Sequence, residues 1–162
     1  MSWLLHRVDD RLIHGQVVVA WGQRLRPQRM WVVDDASAAS AWEREQLESA
    51  APGIAVRVLP VAQAAAEHAV AAAAPGGAFL IVRDLRTALA LVEAGAAVER
   101  FNLGGLHYAP GKDRVNEYVY LDADDRAAAR ALVARGVSLE VQDVPAARPQ
   151  PLGALDPGSH PA

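Results

Sequence analysis

Short apolar runs recur along the chain, separated by stretches in which apolar residues return every three or four positions. The runs are Trp3 to Val8, Met30 to Asp35 (ending in two carboxylates), Ile54 to Leu59, Ala78 to Val82, Val98 to Leu103, Tyr118 to Leu121 and Val137 to Val141. Each has the length and composition of a buried strand. Between them lie helical patterns. Val17, Trp21 and Leu25 share one helix face, which Pro27 ends. Ala38 to Ala50 reads as a solvated helix stopped at Pro52-Gly53, and Val61 to Ala74 as an Ala-rich one closed by Pro75-Gly76-Gly77. Asp84 and Asp122 stand where N-caps are needed, and Gly95 and Gly136 where those two helices must end.

Strands alternating with helices predict an α/β fold: an open, twisted, mostly parallel sheet of about seven strands, with helices on both faces in three layers. Whether the last strand runs antiparallel is open. Right-handed crossovers bring the loops after Val8, Asp34, Val82 and Leu103 to one edge of the sheet. Residues 1–145 read as one domain. Residues 146–162 read as a Pro-rich tail, extended and free to move, because Pro145 to Ala162 holds five of the ten prolines and little apolar surface.

The loop after the first strand carries Asp9, Asp10, Arg11 and His14, and a helix begins near Gly15. In open α/β sheets ligands gather at this edge. A neutral imidazole there is a competent phosphoryl acceptor near pH 7. Phosphoryl transfer asks the protein mainly for in-line positioning and charge neutralisation. Arg11 offers a fork for phosphate oxygens, and the backbone N–H groups of the helix start offer further donors. Asp10 is placed to orient the imidazole or to hold Arg11. Gly15, without a Cβ, allows close approach of a partner. A bland reading stands beside each of these: His14 as a packing residue, Arg11 and Asp10 as a loop-stabilising pair. Gly104-Gly105 ends a strand and either turns backbone N–H groups toward an anion or makes a tight turn. His107 is a second polar group at the same edge, or a structural loop residue.

Composition narrows the classes. With 162 residues, 52% of them hydrophobic, the chain is long enough for a real core, and a net charge of −3 gives no basic footprint for nucleic acid. There is no cysteine, which removes disulfides and thiolate chemistry. His6, His68 and His160 have no partners at metal-ligand spacing, so neither a metal nor a cofactor is expected. No serine sits in a GxSxG setting. The first loop has one glycine and no GxGxxG, so Asp34-Asp35 is a weak dinucleotide signal and Asp34 a better loop support or helix cap. The opening MSWLLHRVDD has no basic n-region, and no run approaches the ~18 apolar residues of a membrane span.

Arg7 to Trp21, RVDDRLIHGQVVVAW, resembles the active-site signature of the IIB subunit of the mannose/fructose/sorbose family of the sugar phosphotransferase system. FNLGGLHYAPGKDRVNEYVYLDADD resembles the family's Asn-Leu-Gly-Gly-x-His segment, and GVSLEVQDVP its last strand. The extension after Pro145 lies outside that pattern. The resemblance implies a cytoplasmic phosphocarrier: a IIA protein or domain phosphorylates His14 at Nδ1, and His14 passes the group to a sugar held by the membrane subunits IIC and IID. It implies that Arg11 stabilises the transferred group and that Asp10 supports it. Gly15, Gln16, Gly104, Gly105 and His107 are then phosphate- or partner-binding residues, Gln16 either donating from its amide or capping the helix. It also places the protein at the inner face of the membrane through its partners. Two other functions stay open: a phosphorylatable signalling module without a transporter, and a nucleotide-binding domain without covalent chemistry. Self-association is open too, with Trp31, Trp42 and Tyr120 each fitting either core or interface.

Overall fold

The computed structural model describes residues 2–162. Its main sheet has seven strands in the order β3-β2-β4-β1-β5-β8-β9. They are β1 (Trp3–Asp9), β2 (Arg29–Val33), β3 (Ala55–Leu59), β4 (Ala78–Val82), β5 (Arg100–Gly105), β8 (Ser138–Val141) and β9 (Gln150–Pro151). All neighbours pair in parallel except β8 and β9, which are antiparallel. A separate two-stranded ribbon joins β6 (Asp113–Arg114) to β7 (Tyr120–Leu121). The count of seven agrees with the sequence pattern, but by other means. The run at Tyr118 to Leu121 builds the ribbon, and the seventh strand of the main sheet comes from the tail.

Burial explains the central strands. Every residue of β4 is buried, as a strand covered on both faces requires. One face packs against Leu12, Val17 and Trp21 of the segment after β1, with Leu47 of α3 (Ala41–Glu48). The other packs against α4 (Val61–Ala73), α5 (Leu85–Glu93) and α6 (Ala123–Ala134), giving three layers. The caps stand where the sequence placed them. Asp84 accepts from Thr87 N–H at 2.8 Å, and Asp122 forms a reciprocal capping box with Asp125.

Three details differ from the sequence reading. The helix expected over Ala38 to Ala50 is two, α2 (Asp35–Ala39) and α3, because Ser40 leaves the helical conformation to cap α3 through Glu43 N–H. The helix after His14 takes a π-helical turn at Val17–Trp21 before α1 (Gly22–Leu25). The tail is not free. It adds β9 to the sheet edge, then α7 (Leu152–Leu155) and a 3₁₀ turn at Pro157–Ser159. Leu152 is fully buried, and Arg126 of α6 holds Asp156 at 3.0 Å. Proline there blocks long strands and helices without preventing one apolar anchor and one ion pair from docking the segment. Of the three aromatics left open, Trp31 is buried, Tyr120 half-buried and Trp42 exposed.

Topology places the site. From β1 the chain crosses over β4 to β2; from β5 it leaves in the opposite direction, to β8. The crevice between the C-terminal ends of β1 and β5 is therefore a switch point, the usual ligand position in such sheets.

Candidate functional site

The site is built around Asp9, the last residue of β1, whose side chain is inaccessible to solvent. Its Oδ1 accepts from Arg11 N–H at 3.1 Å and from Arg11 Nε at 3.2 Å. Its Oδ2 pairs with His14 Nε2 at 2.9 Å and accepts from Arg11 Nη2 at 3.3 Å and Arg7 Nη2 at 3.4 Å. Burial pushes the Asp9 carboxyl up, but the bonds from His14 and Arg11 and the charge of Arg7 outweigh it, so it stays below the usual carboxylate range. Asp9 is thus an anion at neutral pH, holding three cationic or hydrogen-bonding side chains.

Local geometry follows from sequence. Arg7 and Asp9 are two apart on a strand and share a face. Arg7 is wholly buried. It donates to Asn102 Oδ1 and to the carbonyls of Gln142 and Asp143, and its guanidinium lies 5.1 Å from the Trp21 ring centre. Burial lowers its pKa from the ordinary value, with Asp9 opposing. The pairing of β1 with β5 shifts between Val8↔Leu103 and Asp9↔Gly105, leaving Gly104 as the extra residue. Any side chain at Gly104 would collide with the Arg7 guanidinium. The glycine pair is therefore spatial in purpose at Gly104, which makes room for a buried cation.

After Asp9 the chain turns back on itself, with Leu12 N–H donating to the Asp9 carbonyl at 3.0 Å. Leu12 has φ of +59°, rare for a branched residue. Such a conformation costs on the order of 1–3 kcal/mol. Burying a leucine contributes about the same, roughly 1.5–3 kcal/mol, and Leu12 is 3% exposed. The apolar pair Leu12-Ile13 thus pins the loop and presents His14, whose side chain keeps 16% of its accessibility.

Of the residues expected here, His14, Arg11 and Gln16 cluster: Arg11 Nη2 donates to Gln16 Oε1 at 3.3 Å. Gln16 makes no side-chain cap to the helix. Gly15 is exposed, with open space where a Cβ would project. Asp10 does not bond to His14 or Arg11; that role falls to Asp9. Asp10 instead receives His107, backbone N–H at 2.7 Å and Nδ1 at 2.6 Å, while its own N–H donates to the Gly105 carbonyl at 2.9 Å. Arg7, Asp9 and Asn102 were missed by sequence reasoning. For Arg7 and Asp9 the sequence signal is their even spacing at the end of a strand, which puts both on one face; Asn102 on β5 has no such local signal. Asp34 lies apart, capping α2 through Ser37 N–H at 3.0 Å and facing Arg83. Among the described residues no group of three or more His, Asp or Glu side chains is arranged to hold a metal ion.

Chemically the arrangement fixes one ring nitrogen and frees the other. With Nε2 tied to a carboxylate, the proton is kept on Nε2, and the lone pair sits on Nδ1. Nδ1 has no hydrogen-bond partner among the described residues.

Residues 3–156 match the family model described as the PTS system sorbose subfamily IIB component. The tail excluded from the motif-based resemblance falls largely within that match. The chain is 35% identical over 141 residues to the PTS system sorbose-specific EIIB component of Lacticaseibacillus casei, covering 86% of each. It is 36% identical over 141 residues to the PTS system mannose-specific EIIAB component of Escherichia coli K12, covering 86% of this chain and 44% of that one. A crystal structure of the IIBSor domain of the sorbose permease from Klebsiella pneumoniae superposes with a TM-score of 0.86, at 30% identity and 96% coverage of both chains.

Proposed function

Because this chain belongs to the sorbose subfamily of phosphotransferase-system IIB components, we propose that it is a phosphohistidine relay in which His14 is the covalent way-station. A phosphorylated IIA partner presents its phosphohistidine at the exposed edge beside Gly15. The Nδ1 lone pair of His14 attacks phosphorus, and the P–N bond to the donor imidazole breaks, its electron pair returning to that ring. In the second step a hydroxyl oxygen of a sugar held by IIC and IID attacks the phosphorus. The P–Nδ1 bond breaks, the pair returns to His14, and the hydroxyl proton is lost to base. Nε2–H stays on Asp9 throughout. Asp9 thereby offsets the positive charge that a phosphoimidazole develops.

One observation carries this reading: the 2.9 Å contact between Asp9 Oδ2 and His14 Nε2, which leaves Nδ1 as the nucleophile. Arg11, 37% exposed and gripped along one edge by Asp9, has its remaining donors for phosphoryl oxygens. A relative that joins IIA and IIB in one name supports a IIA partner. Among the described residues no helix is long and apolar enough to cross a membrane, which suits a subunit that meets its membrane partners from the cytoplasmic side.

The test is incubation with phosphoenolpyruvate, enzyme I, the histidine phosphocarrier and a IIA protein, followed by intact mass. A gain of one phosphoryl group that disappears in His14→Ala is expected. No gain, or a gain that survives His14→Ala, overturns the assignment.

A further inference from the structure

The Asp9 oxygen that holds His14 is also the one that Arg7 touches, and Arg7 is held from the far end of the chain. Arg7 Nη2 donates to the Asp143 carbonyl at 2.9 Å as well as to Asp9, and Nη1 donates to the Gln142 carbonyl at 3.0 Å and to Asn102 Oδ1. The guanidinium has no accessible surface, so water cannot replace an acceptor that it loses. Beyond Arg7 the bonds continue. Asn102 Nδ2 donates to Gln142 Oε1 at 3.0 Å, and Gln142 Nε2 donates to the Ala147 carbonyl at 2.7 Å. Each end of this series has one polarity, because a guanidinium only donates and a backbone carbonyl only accepts. Both amides between them are therefore oriented one way. His14, Asp9, Arg7, Asn102, Gln142 and the tail backbone at Ala147 form one unbroken series of hydrogen bonds. Closing the end of the sheet asks for none of this, since the Gln142 N–H already continues the ladder to the Leu103 carbonyl at 2.9 Å. The side chain does something more.

We propose that Gln142 is a positioning residue for phosphoryl transfer: through Asn102 it holds Arg7 on Asp9, and so keeps the imidazole of His14 with Nε2 toward the carboxylate. Gln142 touches neither His14 nor the group it receives. Its outer end is fixed by the Ala147 carbonyl, which makes the start of the tail part of the support for the site as well as a cover for the sheet edge. The effect on transfer rests on the His14 relay; the effect on the imidazole does not.

Gln142→Met keeps the length of the side chain and removes both of its polar ends. Two quantities are read in the full chain, with melting curves as a check on folding. One is the initial rate of transfer from phospho-IIA to His14. The other is the Nε2–H proton signal and ring-nitrogen shifts of unphosphorylated His14 by NMR, which a merely structural role would leave unmoved. Gln142→Met is expected to slow transfer about three- to tenfold, the effect of one neutral hydrogen bond, and to move the ring signals toward those of an imidazole with both tautomers populated. Asn102→Leu is expected to do the same, and adding Gln142→Met to it is expected to change neither reading further, because the two residues act in series. The proposal fails if Gln142→Met leaves the ring signals as in the wild type, whatever its rate, or if the two losses multiply. If Asn102→Leu does not fold, the ring signals of Gln142→Met decide. If Gln142→Met does not fold, they are read in Gln142→Asn, whose amide is one methylene too short to span Asn102 and Ala147. Uptake on His14 in the wild type with unmoved ring signals in the variant defeats only this inference. No uptake on His14 at all defeats the relay, and the ring signals then still decide whether Gln142 holds the imidazole.

Discussion

The carboxylate of Asp9 lies 2.9 Å from Nε2 of His14 and has no accessible surface. The two residues are five apart, and the turn between them is held by the Leu12 N–H to Asp9 carbonyl bond and by burial of Leu12 and Ile13. Asp9→Asn keeps the size but removes the charge and presents either an amide N–H or a neutral oxygen to Nε2. Transfer through His14 is expected to fall by roughly 10²-fold or more, the range typical of losing a positioned acid–base partner. Asp10→Asn is expected to cost less, because Asp10 does not touch His14. Single-turnover transfer from phospho-IIA measures both; equal losses would mean that Asp9 has no special hold on the imidazole.

Gly104 and Arg7 make a second dependent pair. Arg7 is buried in a bulge that only a residue without a Cβ permits. Gly104→Ala forces the guanidinium away from Asn102, Asp9 and two carbonyls. A loss of about 1–3 kcal/mol is expected from overpacking alone. Denaturant titration reads it, and a Gly104→Ala protein as stable as wild type would remove Arg7 from its assigned place.

These relationships mark the limit of what the sequence makes legible. The strand at Ala78 to Val82 and the caps at Asp84 and Asp122 are written in local pattern, because each depends on neighbours within a turn. The RVDDRLIHGQ stretch announces its chemistry by residue type. What local pattern does not distinguish is Asp9 from Asp10, since both sit at the strand end and only the strand's alternation, carried one residue further, sends Asp9 inward. The bulge at Gly104 depends on β5 pairing with β1, nearly a hundred residues away, and His107 meets Asp10 by the same long-range pairing. The docking of the tail is hidden for a related reason: one buried leucine and one ion pair anchor it, and neither outweighs its prolines in a composition.

A pair of histidines away from the site sets the acid response. His6 Nε2 lies 2.9 Å from His68 Nε2, with Trp3 stacked on His68 and Phe101 edge-on to His6. Burial, and then the nearby His68, lowers the His6 pKa to about 3, and burial lowers that of His68. The unfolded chain takes up these protons near pH 6.5, whereas folded His6 does not until about pH 3. Stability is therefore fully present above pH 6.5 and falls as pH drops toward 3, at up to about 1.4 kcal/mol per unit for one such group. Asp9, whose pKa is lowered, adds its own loss at lower pH, beginning as pH falls through the ordinary carboxylate range and continuing below it. Thermal melts from pH 7 to 4.5 are expected to decline in the wild type and to flatten in His6→Phe. An unchanged slope in the variant would place the acid-sensitive groups elsewhere.

The tail supplies the last prediction. Strand β9 covers the edge of β8, Leu152 is buried against the core, and Arg126 bridges Asp156 of the tail and Asp113 of the ribbon. The Arg126–Asp156 bonds hold the guanidinium's pKa above its ordinary value. The pair is only partly shielded from water, with 21% and 14% of the side chains accessible. Removing residues 147–162 exposes an apolar face and an unpaired strand edge. Loss of the Leu152 contact alone is worth about 2–5 kcal/mol by analogy with core leucine truncation. A chain ending at residue 146 is expected to melt several degrees lower and to aggregate on warming. Asp156→Asn separates the ion pair from the apolar anchor: it is expected to lower stability by less than Leu152→Ala, because surface water still reaches the pair. If the truncated chain melts with the full one, the tail does not contribute to the fold; if Asp156→Asn costs more than Leu152→Ala, the ion pair rather than the leucine is the anchor.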